Sequence, residues 1–255
     1  MSVSFDLGGK VAVVTGGAGG IGRAYGAALG AAGAAVALAD LDGDAAAAAA
    51  AELQAARVRA IGVQVDITDE ASAHAMAARV SEAFGGVDVL VNNAALMKEI
   101  PEVPLMELPM EWWRRTMDVN VAGALVCARA CVPSMIERGG GKIVNQGSGG
   151  AWVSPTVYAV SKIAIVSLTH GLARELGKHR INVNAIAPGA VETASGLEQR
   201  PLDSAWRNRM REICAIKGSA PPGDLCGALV FLCSPASDWV TGQCLNVDGG
   251  WIYRY

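Results

Sequence analysis

The sequence predicts an α/β fold in which a doubly wound parallel sheet of about seven strands carries helices on both faces. Three observations support it. Short continuous apolar runs alternate with longer helical stretches along the chain, a glycine-rich turn directly follows the first run, and no Pro-, Ser- or charge-rich linker interrupts the 255 residues. One domain spanning 1–255 is the expected organisation.

The first strand is read at 11–15, where Val-Ala-Val-Val has the unbroken apolar character of a strand buried on both faces. A helix at 21–32, a strand at 35–39, a helix at 45–55, a strand at 58–65, a helix at 70–84 and a strand at 87–91 complete a βαβαβαβ half. The alanine run 45–51 reads as surface helix, because alanine is the best helix former and Asp44 is placed to cap it. The second half repeats the rhythm with a helix at about 111–137, a strand at 142–146, a helix at 157–177 and a strand at 181–186. A helix at 224–232 and a strand at 244–247 end it. Residues 191–222 lack clean periodicity, which in a compact domain marks a functional segment.

Composition excludes several function classes. With 52% hydrophobic and 18% charged residues the chain has ample material for a core, and its formal charge of −3 offers no footprint for nucleic acid or an anionic membrane. Residues 1–10 show no basic stretch followed by an apolar run, and no charge-free stretch long enough to span a bilayer appears, so a cytoplasmic location is expected. Cys127, Cys131, Cys214, Cys226, Cys233 and Cys244 form no C-x-x-C pair, and His74, His170 and His179 are isolated. They read as packing residues, and no metal site is expected.

The turn Thr15-Gly-Gly-Ala-Gly-Gly-Ile-Gly22 sits between the first strand and the first helix. Glycine lets the backbone turn tightly and brings amide groups and a helix N-terminus against a pyrophosphate. Two registers fit, Gly17-x-Gly19-x-x-Gly22 and Gly16-x-x-x-Gly20-x-Gly22. Asp40 ends the second strand 24 residues after Gly16, near the spacing at which a carboxylate takes the adenosine ribose hydroxyls of a Rossmann fold. Asp40 also favours NAD over NADP. Two like charges at ~4 Å repel by about 4 kcal/mol at an effective dielectric of about 20, and no Lys or Arg lies between Gly33 and Asp44 to receive a 2′-phosphate.

Tyr158-Ala-Val-Ser-Lys162 opens a helix, where residues four apart share a face. A lysine ammonium beside a phenol favours phenolate and so an acid–base near neutral pH. Ser148, ten residues before Tyr158 and just past the strand at 142–146, can reach the same point at the carboxyl end of the sheet.

With these motifs the whole chain resembles the short-chain dehydrogenase/reductase family, from Lys10-Val-Ala-Val-Val-Thr-Gly to Asn246-Val-Asp-Gly-Gly250. The resemblance implies the register Gly16, Gly20 and Gly22, with Ile21, around the pyrophosphate. It implies that Tyr158 is the proton donor or acceptor, that Ser148 polarises the substrate oxygen, and that Lys162 binds the nicotinamide ribose and lowers the tyrosine pKa. It implies that Asn120, in Asp118-Val-Asn-Val, holds a water in the proton relay. Asn is a poor mid-helix residue, so a local distortion there is expected. By the same resemblance Asp40 and Leu41 meet the adenosine ribose, Asp66 and Ile67 the adenine, and Asn93 and Ala94, in Asn92-Asn-Ala-Ala95, flank the cofactor. Pro188, Gly189, Val191 and Thr193 meet the carboxamide and phosphates.

The sequence departs from the family pattern in places. Ala95 stands where a glycine is usual, and Gly19 where many NADP-using members carry Arg or Lys. The Ser148–Tyr158 interval is shorter than in many relatives, and Asn182 replaces a common arginine.

The expected function is hydride transfer between NAD(H) and a secondary alcohol or ketone, apolar or cyclic. The substrate would bind among Ala95, Met97, Gly149, Trp152 and Trp206, with Tyr253 of the tail near, under a mobile lid at about 190–217. Arg207, Arg209 and Arg211 on that lid read as a solvated helix face, with an acidic substrate or acyl thioester as the other reading. A non-catalytic NAD-binding regulator, a sugar or hydroxy-acid substrate, and epimerisation or dehydration through transient oxidation rank below. The family resemblance, together with apolar helix faces at 111–137 and 157–177 and the ending Trp251-Ile-Tyr253, implies a symmetric homotetramer.

Overall fold

The computed structural model describes residues 4–199 and 201–253, apart from the side chains of Ser195, Gln199 and Arg211. All seven strands, β1 (Val11–Thr15), β2 (Ala35–Asp40), β3 (Ala60–Gln64), β4 (Val89–Asn92), β5 (Gly141–Gln146), β6 (Ile181–Pro188) and β7 (Cys244–Val247), belong to one sheet ordered β3-β2-β1-β4-β5-β6-β7. Every pairing is parallel. A parallel sheet must be covered on both faces, and two apolar clusters do this. Helices α3 (Glu70–Phe84), α5 (Gly123–Glu137) and α6 (Val157–Leu176) pack on one face. Helices α1 (Gly20–Ala31), α2 (Gly43–Ala55) and α9 (Cys226–Cys233) pack on the other. The fold class agrees with the sequence reading. The one-domain reading also covers residues 1–3, 200 and 254–255, which lie outside the described residues.

Local differences have physical causes. The alanine-rich helix is capped by Asp42, whose carboxylate accepts from Ala45 N at 2.9 Å, while Asp44 lies inside its first turn. Arg57 takes a left-handed conformation at φ 65°, which ends the turn after α2 and delays β3 to Ala60. The long helix expected at 111–137 is divided into α4 (Met110–Met117) and α5 by a π-turn at Asp118–Ala122, centred on Asn120. By length and hydropathy alone the run Met110–Glu137 could cross a bilayer. In the fold its Cys127, Ala128, Cys131 and Met135 are buried against the sheet. Asn182 acts structurally: its amide donates to the carbonyls of Asp238 and Val240, and its oxygen accepts from Lys142 Nζ at 2.9 Å.

The irregular segment contains two helices, α7 (Ala194–Gln199) and α8 (Ala205–Ile213). Its ends are tied to the body by a bridge between Val191 and Ala220, a Ser219-to-Glu192 hydrogen bond, and Ile216 N donating to Gly249 O at 2.9 Å.

Candidate active site

The strand order reverses between β1 and β4, and in open α/β sheets the crevice outside the carboxyl ends of strands at such a point binds the ligand. Gly16 leaves β1 at φ +63°, and a Cβ there would lie 2.9 Å from Ala94 Cα and from Asn93 Nδ2. On Gly22 a Cβ would collide with the Gly16 carbonyl oxygen, and on Gly20 it would lie 3.2 Å from the Thr193 side chain. The turn, the strap at Asn93–Ala94 and the segment after β6 therefore form one continuous surface, tight enough that a side chain on the turn would fill the cradle. Such glycines, with the α1 N-terminus behind them, suit a dinucleotide pyrophosphate. Asp40 Oδ2 accepts from Ala18 N at 3.0 Å, which holds its carboxylate at the turn. Beside it Leu41 is exposed. Arg23, a basic residue outside the 33–44 window, is brought to the same turn: its Nε donates to Ala18 O at 2.9 Å, and its Nη1 pairs with Glu52 at 2.6 Å.

Thr15, which the sequence reading passed over, holds the strap. Its hydroxyl accepts from Asn93 N and Ala94 N, each at 3.1 Å, and donates to Val91 O at 3.3 Å. Asn93 Nδ2 returns to Thr15 O at 3.0 Å. Asp66 sits exposed beyond β3, and hydrogen bonds from the Thr68 hydroxyl and amide hold its carboxyl below the ordinary aspartate range. Ile67 is buried against Gly123 at the start of α5.

Ser148, Tyr158, Lys162 and Asn120 come together beyond β5. Thr156 caps α6 by accepting from Ala159 N at 3.2 Å, which places Tyr158 on the first turn, hydrogen-bonded to Ser148. Lys162, one turn further on, is buried with its Nζ 5.5 Å from the Tyr158 ring centroid and donating to Gln146 O at 2.9 Å. Gln146 is anchored in turn by Tyr25 of α1, whose hydroxyl donates to its Oε1 at 2.9 Å. Nothing in residue spacing could reveal that link between the nucleotide helix and the lysine's acceptor. Asn120 accepts from Leu96 N at 2.7 Å and donates to Leu96 O and Ser161 Oγ, each at 3.0 Å. The distortion expected at Asn120 is thus present as the π-turn, a feature frequent at functional sites. Its side chain fastens the strap to α6.

Burial sets the acid–base properties of this pair before any cofactor charge is added. Burial disfavours the phenolate and pushes Tyr158 up to about 12, with the Ser148 hydrogen bond opposing. Burial equally disfavours the ammonium and pulls Lys162 down to about 8. Before a cationic nicotinamide is added, burial therefore leaves Tyr158 protonated at neutral pH.

Of the residues assigned to the substrate, Gly149 is buried beside Ser148, Trp152 and Met97 are half-buried, and Ala95 is exposed. Trp206 lies outward on α8 at 39% exposure. Its neighbour Arg207, expected on a solvated face, is instead 2% exposed with Nη2 donating to Val191 O at 3.3 Å. Arg209 is exposed and paired with Glu212, and the side chain of Arg211 lies outside the described residues. Tyr253 is exposed, and the tail residue that reaches the catalytic loop is Trp251, whose ring carbons stand 2.8–2.9 Å from a Cβ built on Gly149. Pro188 ends β6 beside Val247, and Gly189 packs against Asp248.

Residues 16–252 match the family described as enoyl-(acyl carrier protein) reductase. An uncharacterized oxidoreductase of Mycobacterium tuberculosis is 45% identical over 245 residues, covering 96% of this chain and 98% of its own. A 2,5-dichloro-2,5-cyclohexadiene-1,4-diol dehydrogenase of Sphingobium indicum is 40% identical and a sorbitol dehydrogenase of Cereibacter sphaeroides 39% identical, each over 96% of this chain and 98% of the relative. The crystal structure of a blue fluorescent protein from a metagenomic library in complex with NADPH is similar at a TM-score of 0.87 and 35% identity, covering 97% of this chain and 100% of that one. With the fold, the glycine turn and the Ser–Tyr–Lys grouping already in place, these matches show that the chain belongs to the short-chain dehydrogenase/reductase family of nicotinamide-dependent oxidoreductases.

Proposed function

We propose that the protein is an NAD-preferring dehydrogenase that interconverts a largely apolar, cyclic secondary alcohol and its ketone. The observation that carries the proposal is the Ser148–Tyr158 hydrogen bond with the Lys162 ammonium behind it, beside a glycine cradle shaped for a dinucleotide. Bound NAD would accept the hydride from the carbinol carbon. Ser148 Oγ holds the substrate oxygen and Tyr158 Oη takes its proton, while Lys162 hydrogen-bonds the nicotinamide ribose and favours the phenolate. Gly16, Gly20, Ile21 and Gly22 receive the pyrophosphate, and Thr193 supplies a hydroxyl beside it. Asp40 and Leu41 receive the adenosine ribose, Asp66 and Ile67 the adenine, and Asn93, Ala94, Pro188, Gly189 and Val191 the nicotinamide half. Asn120 has its side chain engaged by Leu96 and Ser161, so the relay water falls to the backbone of the π-turn.

Two relatives favour different substrates, a cyclic diol and a linear polyol. Carbon-rich Trp152, in the turn that Gly149 opens, and Trp251, against Gly149, favour the ring. The test is a panel of cyclic and linear secondary alcohols, polyols, hydroxy acids and hydroxyacyl thioesters, each with NAD and with NADP, read by absorbance of the reduced cofactor. Cyclic alcohols are expected to give the highest kcat/KM, and polyols reacting best with cyclic alcohols inert would refute the pocket reading. NAD is expected to exceed NADP at least about tenfold, or ~1.4 kcal/mol. Asp40→Ala should narrow that gap. Equal efficiency with both cofactors would refute the role given to Asp40, and Arg23 at the same turn would then be the residue to examine.

We further propose a cytoplasmic homotetramer. A groove of about 660 Å³ lined by apolar Trp113, Met117, Val121, Leu125 and Leu168 and by charged Arg114, Arg115 and Asp118 runs along α4, α5 and α6, and Leu125 of α5 and Ile163 of α6 are exposed. Isologous packing of such a face on a second copy would cover it. Light scattering at micromolar concentration should return four times the chain mass, and a monomer mass would refute the assembly.

A further inference from the structure

We propose that Trp251 is a specificity-determining residue whose indole forms the wall of the substrate pocket beside Ser148 and packs on an apolar ring of the substrate. Gly149 immediately follows Ser148, and a Cβ on it would stand 2.8 Å from Trp251 Cε3, 2.9 Å from Cζ3 and 3.2 Å from Pro188 O. Trp251 is half-buried, so part of its surface remains accessible. Pro188 O, at the end of β6, borders the same Gly149 position.

The indole is held by a built turn. Asp248 Oδ1 accepts from Gly250 N at 3.0 Å and Trp251 N at 3.2 Å, while Oδ2 accepts from Ile252 N and Asn246 Nδ2, each at 3.0 Å. With four donors on its two oxygens the carboxylate is spent on shaping the tail, and it is a positioning residue for Trp251. Gly249 and Gly250 sit at φ +66° and +75°, a region that side-chain-bearing residues rarely adopt. The distal end of the lid closes on the same turn: Ile216 N donates to Gly249 O at 2.9 Å, and a Cβ on Gly250 would lie 2.9 Å from Ala215 Cβ. The Trp251 ring therefore meets the catalytic loop at Gly149, while the two glycines before it in the chain meet the end of the lid. A flat apolar surface there rewards a ring and leaves a polyol's hydroxyls without partners.

This inference rests on Ser148 and Tyr158 being the reacting centre, so binding and turnover are measured separately. Cyclohexanol and 2-propanol are compared with NAD in the unsubstituted protein, Trp251→Ala and Trp251→Phe. The ratio of their kcat/KM values is expected to fall at least about tenfold in Trp251→Ala, through KM for the ring, and to recover largely in Trp251→Phe. Cyclohexanone is also titrated into the NADH complexes and followed by NADH fluorescence. Its affinity should weaken at least about tenfold in Trp251→Ala, while NADH affinity stays within about threefold. An unchanged ratio, or equal cyclohexanone affinity in the unsubstituted protein and Trp251→Ala, would overturn the assignment. Discrimination in the binding titration without turnover by any of the three proteins would support the Trp251 wall while refuting the dehydrogenase reading.

Discussion

Tyr158→Phe is expected to lower kcat by about 10³-fold, within the range of 10²–10⁴ that a positioned acid–base contributes. The substitution removes one oxygen and keeps the ring, which packs with Leu96, Ile100, Leu108, Trp112 and Val157. NADH affinity, read by fluorescence titration, should therefore stay within a few fold. The effect should be large because Tyr158 Oη is the group assigned to take the substrate proton; burial raises it to about 12, and positive charge brought beside it restores the phenolate. Lys162 supplies one such charge, and an oxidised nicotinamide would supply another. Stopped-flow turnover of the purified variant within tenfold of the parent would exclude this chemistry.

Lys162→Met should reduce both cofactor affinity and rate, each by about tenfold to a hundredfold, as befits a charged hydrogen bond of roughly 1.5–3 kcal/mol. Burial lowers the lysine's folded pKa to about 8, so the ammonium is present below that pH and is lost as pH rises through it. Affinity of the parent for NADH is accordingly expected to be highest below pH 8 and to fall above it. The Met variant should bind weakly with no such step. An identical pH profile in parent and variant would show that Lys162 does not act through its charge.

The strands and most helices were readable because each rests on a short-range pattern. A buried parallel strand such as Val11–Thr15 is apolar throughout, and a helix such as Glu70–Phe84 carries its own cap and ends at a glycine in the left-handed region. Asn120 is legible as a place for distortion from its residue type, but the π-turn and the Leu96 and Ser161 bonds required the fold. The cap falls on Asp42 rather than Asp44 because the helix begins at Gly43, two residues before the alanine run, a boundary that composition does not distinguish.

By itself the sequence determined the sheet's parallel character, the glycine turn, Asp40 at the end of β2, and the order Asn120, Ser148, Tyr158, Lys162, since each is written in neighbouring residues or fixed spacing. Tertiary structure alone decided that Thr15 holds the strap, that Tyr25 anchors Gln146 beneath the lysine, that Arg207 turns inward, and that Trp251 rather than Tyr253 reaches Gly149. It also decided the direction of the Tyr158 shift. Burial depends on what lies around a group in space, and at Tyr158 the desolvation produced by distant chain segments raises the pKa in a way that local spacing could not foresee.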